Sequence, residues 1–194
     1  MRAALYERTG PAAEVLTLCN VPTPNAAPDE VRVKIAYSGV NPSDVKARAG
    51  LRSKALAFPQ IIPHSDGAGV IDQVGAGVDA SRIGERVWIW NGAWARSNGT
   101  ASEHMTLPSA QAVRLPDNVS FAAGACLGIP ALTALHGVTM ANGVVGKSVL
   151  IAGGAGAVGH YAIQFAKQLG AAQVIASVSN EAKASLAQRA QIWW

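Results

Sequence analysis

Short apolar or alternating runs fill the first part of the chain: RAALYE, VLTLC, EVRVKIAYSGV, GAGVIDQVG, ERVWIW and ASEHMTL. Gly, Pro, Asn and Asp cluster between them. This spacing predicts short strands in a partly closed β-barrel or sandwich. PTPNAAPDE is a connector, because proline lacks the N–H that a central strand needs. GAGVDASRIGERV reads as a turn feeding a strand.

Near Asp117 the period changes. SFAAGACLG and PALTALHGVTMANG carry helical spacing. Ser120 is placed to cap the first helix, and Pro130 to start the second, where its missing donor costs nothing. KSVLIAG is a continuous apolar run, expected as a parallel strand buried on both faces. VGHYAIQFAKQLG follows as a helix with Val158, Ala162, Phe165, Ala166 and Leu169 on one stripe and Gly170 as its stop. AQVIASVS reads as a second strand, and Asn180 as the cap of a last helix, EAKASLAQRA. The fold class is therefore a β-rich part followed by an α/β part, divided as 1–120 and 121–194.

Composition narrows the function classes. The 194 residues are 49% hydrophobic and 14% charged, with 20 glycines, which describes a packed, turn-rich globule. The net charge of +4 comes from scattered basic residues. They form no run suited to nucleic acid, so none is expected as a partner. No long apolar span breaks the pattern, so no membrane partner is expected, and a soluble cytoplasmic protein is the expectation. Cys19 and Cys126 form no ligand cluster and are expected as buried free thiols.

The chemistry lies in Gly154-Ala155-Gly156-Ala157-Val158-Gly159. The pattern GxGxxG alone is common. Here it follows a strand, opens a helix and precedes a second strand, the context of a dinucleotide site. Gly154 is read as allowing the tight turn, Gly156 as admitting a pyrophosphate to the backbone, and Gly159 as letting the helix pack on the strand. The helix start at Ala157 and Val158 offers free amides to phosphate. The second strand ends in Ser177-Val178-Ser179-Asn180, with no acid for a ribose 2′-hydroxyl. Lys183 follows one turn later. That set suits a 2′-phosphate; the alternative is that Ser179 and Asn180 only cap the helix and Lys183 is ordinary surface.

GVNPSDVKARAG, IIPHSDGAGVIDQVGAGV, GERVW, GACLGIPALTAL and LIAGGAGAVGHYAIQFAKQLGA together resemble the zinc-independent quinone oxidoreductases, the zeta-crystallin-like branch of the medium-chain dehydrogenase/reductase superfamily. The resemblance implies a GroES-like catalytic domain, then a Rossmann-type domain, with a nicotinamide in the cleft between them. It implies NADPH, a quinone or enone as small-molecule substrate, and a homo-oligomer in the full-length family. It places Asn41 and Thr133 beside the nicotinamide as candidate catalytic and cofactor-binding residues. It gives Gly156 to Gly159 the pyrophosphate and Lys183 the 2′-phosphate. Hydride comes from the cofactor, and the Asn41 amide, the Thr133 hydroxyl or water stabilises the charge that develops on the substrate oxygen. Asp44 braces its loop rather than acting as an acid.

Zinc-dependent relatives of this pattern carry ligands at the positions of Asn41, Ser65 and a residue near Ile129. None of the three is a good zinc ligand here, so no metal is expected. His64 is one residue out of register and is read as a loop histidine. His104, His136 and His160 are read as isolated. Lys46 and Arg52 stand where relatives carry pocket tyrosines, and Trp88, Trp90 and Trp94 are either a substitute stacking surface or barrel packing. The family pattern continues beyond LAQRA, whereas this chain reads Gln191-Ile192-Trp193-Trp194. The resemblance therefore implies an incomplete Rossmann-type domain lacking the return segment of the catalytic domain. The alternative function is a non-catalytic remnant with weak or no cofactor binding.

Overall fold

The computed structural model describes residues 1–140 and 142–189. The terminal Gln191-Ile192-Trp193-Trp194, singled out by the sequence, lies outside them. The chain divides into two compact units, Met1–Ile129 and a second from Pro130 onward.

The first unit holds β1 (Arg2–Leu5), α1 (Ala12–Val15), β2 (Thr17–Asn20), β3 (Glu30–Gly39), α2 (Pro42–Arg48), β4 (Asp66–Val74), β5 (Arg86–Ile89), β6 (His104–Pro108), β7 (Ala112–Arg114) and α3 (Phe121–Gly124). Five strands form one antiparallel sheet in the order β6-β3-β4-β5-β7, and β1 pairs with β2. Period-two alternation decides the faces: Val31, Val33, Val87, Ile89, Met105 and Leu107 are all fully buried in one core. Burying such side chains is worth about 1.5–3 kcal/mol each, which offsets ordering the loops between strands. Ser120 caps α3 by accepting from the Ala123 N–H at 3.2 Å, as expected.

Three elements of this unit have no counterpart in the sequence reading. The helix α2 falls inside GVNPSDVKARAG. Its Pro42 at the first turn and its capping box of Asn41 and Asp44 are helix signals that the dominant strand pattern hid. The other two, α1 and β7, are four and three residues long, too short to carry a period. The thiol expectation is also corrected: Cys19 is half-buried and Cys126 exposed. Two small neighbours do not make a position interior. His104 is not isolated either. Its Nε2 lies 3.3 Å from Asp72 Oδ2, and Asp72 also pairs with Arg32 at 2.8 Å. Pairing of β3 with β6 and with β4 brings these three residues together.

After α4 (Gly128–Thr139), which crosses the division between units, the second unit holds β8 (Ser148–Ile151), α5 (Ala157–Gln168), β9 (Gln173–Ala176) and α6 (Ala184–Arg189). Pro130 sits in the first turn of α4, where no intrahelical donor is lost. The strands β8 and β9 are parallel, joined through α5. Ala134, Val138, Ile151, Ala162, Ile163 and Ala166 form the core.

Two expectations are corrected here. The buried stripe of α5 is Gly159, Ala162, Ile163 and Ala166, while Val158 and Leu169 are 40% and 38% exposed. The helix is turned so that its glycine, not its valine, meets the strand loop. The strand β8 is not buried on both faces, since Leu150 is 71% exposed while Ile151 is buried. Gly170 ends α5 with φ +86°, as the sequence predicts.

Candidate functional site

Two sets of polar groups stand out, one in each unit. In the first, β3 and β4 bring their ends beside the start of α2. Asp44 Oδ2 accepts from the Asn41 N–H at 2.8 Å, so Asp44 does brace the loop. The Asn41 side chain is buried, and its Nδ2 donates to Asp66 Oδ2 at 2.8 Å. The Ile129 N–H donates to the same oxygen at 2.8 Å. Burial is the largest influence on Asp66 and pushes its carboxyl up to about 6; the two donors act the other way and the Asp44 charge adds to the rise.

His64 is more than the loop histidine that its register suggests, because it belongs to this neighbourhood. Its backbone is left-handed, with φ +78°, an arrangement that costs a non-glycine residue about 1–2 kcal/mol. Its Nδ1 lies 2.9 Å from Ser38 Oγ, which lies 2.8 Å from Thr100 Oγ1, which donates to the Asp66 carbonyl at 2.5 Å. Counting hydrogens gives this series a direction. Thr100 spends its hydrogen on a carbonyl, so Ser38 donates to Thr100, and His64 Nδ1 donates to Ser38. Burial holds His64 below its ordinary value, partly opposed by the Asp44 charge, while burial raises Asp44. Tyr6 is also raised, first by burial and then by Asp44. Sequence spacing had no means to find this group: Ser38, His64 and Thr100 are tens of residues apart and meet only where the end of β3 packs against two loops.

In the second unit the glycine-rich turn between β8 and α5 is the second set. The positive φ is at Gly153, +71°, one residue before the glycine to which the sequence assigns the tight turn. Gly154 is needed for packing instead, because a Cβ there would lie 2.6 Å from Ala176 Cβ and 2.9 Å from Ile163 Cδ1. Ser177 holds the turn from β9: its Oγ accepts from the Gly153 N–H at 3.1 Å and its carbonyl from the Gly154 N–H at 2.9 Å. Gly156 is the N-cap of α5 and is exposed. The first amides of α5, at Ala157, Val158 and Gly159, have no carbonyl one turn back within the helix.

Asn180 Oδ1 accepts from the Lys183 N–H at 3.1 Å, so its side chain caps the 3-10 turn at Glu181–Lys183. Ser179 and Lys183 are exposed. Thr133 lies on the exposed side of α4, opposite buried Ala131, Ala134 and Val138. Trp94 is 72% exposed, whereas Trp88 and Trp90 are half-buried, Trp90 donating its indole N–H to the Ala110 carbonyl at 3.3 Å. Among the described residues no three His, Cys, Asp or Glu side chains gather as a metal site, and no helix is long and apolar enough to cross a membrane.

Known proteins are similar to this chain in sequence and fold. Residues 27–117 match the alcohol dehydrogenase GroES-like domain. A 2-methylene-furan-3-one reductase of Solanum lycopersicum is 35% identical over 192 residues, which are 96% of this chain and 49% of that protein. The quinone oxidoreductase of Rattus norvegicus is 35% identical over 189 residues, 94% of this chain and 54% of its own length. A mycobacterial structure complexed with NADPH superposes with a TM-score of 0.82 at 31% identity, covering 98% of this chain and 56% of the other. The chain thus spans about half the length of the curated relatives it matches.

Proposed function

We propose that this chain, which is similar to quinone oxidoreductases over about half their length, belongs to the medium-chain dehydrogenase/reductase superfamily and serves NADPH-dependent, zinc-independent reduction of a quinone or another conjugated carbonyl. One observation carries the reading: a parallel β8–turn–α5–β9 unit whose exposed Gly156 leaves the helix start open, and whose second strand ends in Ser177-Val178-Ser179-Asn180 without a carboxylate, Glu181 and Lys183 following in the next turn. A Cβ at Gly156 would meet only the Gly153 carbonyl oxygen, at 3.2 Å, so the space beside this residue is open, as a pyrophosphate approaching the backbone needs.

In this proposal the amides of Ala157, Val158 and Gly159 hold the pyrophosphate. Lys183, with the Ser179 hydroxyl, holds the 2′-phosphate through charge-assisted contacts. NADPH, when bound, supplies the hydride. Asn41 then uses its remaining Nδ2 hydrogen to stabilise negative charge growing on the substrate oxygen, and the Thr133 hydroxyl lines the nicotinamide. The names of the relatives, an enone-type reductase and a quinone oxidoreductase, support this substrate class. A small-molecule substrate, homo-oligomeric assembly and a cytoplasmic location belong to the same proposal.

The test is a quinone-dependent NADPH oxidation assay on the chain, with NADPH fluorescence titrated in parallel. The proposal expects saturable binding and turnover that depends on quinone. Binding without turnover, or no binding, would favour the non-catalytic alternative.

A further inference from the structure

Asp66 opens β4 and is 1% exposed. Its Oδ2 receives two hydrogen bonds, from Asn41 Nδ2 and from the Ile129 N–H, both at 2.8 Å. Its Oδ1 is buried and has no hydrogen-bond partner among the described residues. A backbone N–H only donates, so Oδ2 is an acceptor whether or not the carboxyl is ionised. A proton on this group therefore resides on Oδ1. The Asn41 atom facing Oδ2 must then be the amide nitrogen, since two acceptor oxygens at that distance with no hydrogen between them repel. Surrounding groups set the orientation of the Asn41 carboxamide in both charge states of Asp66.

The surroundings leave the carboxyl little room to move. A Cβ on Gly128 would overlap Asp66 Oδ1, and one on Gly39 would lie 3.0 Å from Asp66 Cβ. Thr100 ties down the Asp66 carbonyl. Three segments distant in sequence, the cap of α2, the first residue of β4 and the first turn of α4, thus converge on one oxygen.

We propose that Asp66 is the positioning residue of Asn41: it keeps one Nδ2 hydrogen turned inward and leaves the other as the donor for the substrate oxygen that gains charge during reduction. This rests on the reading above that Asn41 faces that oxygen. Without the clamp the carboxamide turns over, and its own oxygen then opposes the developing charge. Burial and the Asp44 charge raise the carboxyl, whereas the Asn41 and Ile129 donors favour its ionised form.

The experiment compares wild type, Asp66→Asn and Asp66→Ala as full chains, using the Asn41 side-chain amide signals in nitrogen-15 spectra, assigned by their loss in Asn41→Ser, and NADPH oxidation by benzoquinone. Asp66→Asn is the conservative rescue, because its carboxamide oxygen takes the place of Oδ2 as acceptor. It should keep the separated Asn41 amide signals and kcat within about threefold. Asp66→Ala should collapse those signals toward exposed-asparagine positions and lower kcat about tenfold or more, with KM for NADPH much less affected. Equal loss in both variants, or Asn41 signals unmoved by Asp66→Ala, would overturn the proposal. Should Asp66→Ala fail to fold, exposed-type Asn41 signals in wild type would overturn it, and separated signals kept in Asp66→Asn would support it. If wild type oxidises no NADPH, the functional reading fails, while the amide signals still decide the clamp.

Discussion

A Cβ on Gly159 would stand 2.2 Å from the carbonyl oxygen of Gly153, whereas one on Gly156 would keep 3.2 Å from the same atom. Two glycines of one turn thus have different reasons to be glycine. Gly159→Ala forces the helix off the strand loop and should destabilise the second unit by about 1–3 kcal/mol. Gly156→Ala should leave thermal unfolding nearly unchanged but weaken NADPH binding, because its methyl group would occupy the space that the proposed function gives the pyrophosphate. Unfolding midpoints and NADPH titration of both variants check this. Equal destabilisation by the two would refute the division of roles.

Cofactor choice tests the end of β9. A charge-assisted contact contributes about 1.5–3 kcal/mol, so NADPH should bind roughly tenfold or more tightly than NADH. Lys183→Ala should remove most of that preference by weakening NADPH alone. Equal binding of both dinucleotides by the wild type would sink the assignment of the 2′-phosphate to Lys183.

The Asp66 carboxyl makes stability depend on pH in a definite direction. Its ordinary value is 3.8 and its folded value about 6, so the folded chain holds the proton more tightly than the unfolded one. The stabilisation is complete below 3.8 and is lost as pH rises through about 6, by on the order of 3 kcal/mol in total. Urea unfolding of wild type and Asp66→Asn from pH 4 to 8 checks it, since other titrating groups cancel in the difference. Wild type should lose stability relative to Asp66→Asn across that window. A difference independent of pH would contradict the carboxyl's elevated value.

Metal content is a fourth test. Asn41 is engaged with Asp66, and the Ser65 carbonyl accepts from the Gly92 N–H at 2.8 Å. Ile129 contributes only a backbone donor here. Purified protein should carry no stoichiometric zinc, and a chelator should change neither unfolding nor turnover. One tightly held zinc per chain in elemental analysis would refute this.

Much of this was legible in the residue order. Period-two runs located four of the five strands of the large sheet, all but the three-residue β7, because each side chain alternates faces whatever lies around it. The glycine pattern located the β8–α5 turn, and Ser120, Asn180 and Gly170 marked helix ends through their own local bonding. Such features depend on neighbours within a few residues, which the sequence lists in order.

What the sequence could not decide was anything requiring two distant segments to meet. Which glycine takes the positive φ depends on how β9 reaches over the turn through Ser177. Which face of α5 is buried depends on the close approach at Gly159 rather than on the most hydrophobic stripe. Asn41 was legible by its motif, but its partner Asp66 and the linked Ser38, His64 and Thr100 side chains were not. By itself the sequence determined the order and type of the main elements and the place of the glycine-rich turn, since those follow from local periodicity and backbone freedom. Only the tertiary structure decided which polar groups share a hydrogen bond and which carboxyl is forced toward neutrality, because burial and partner geometry are set by strand pairing across the chain.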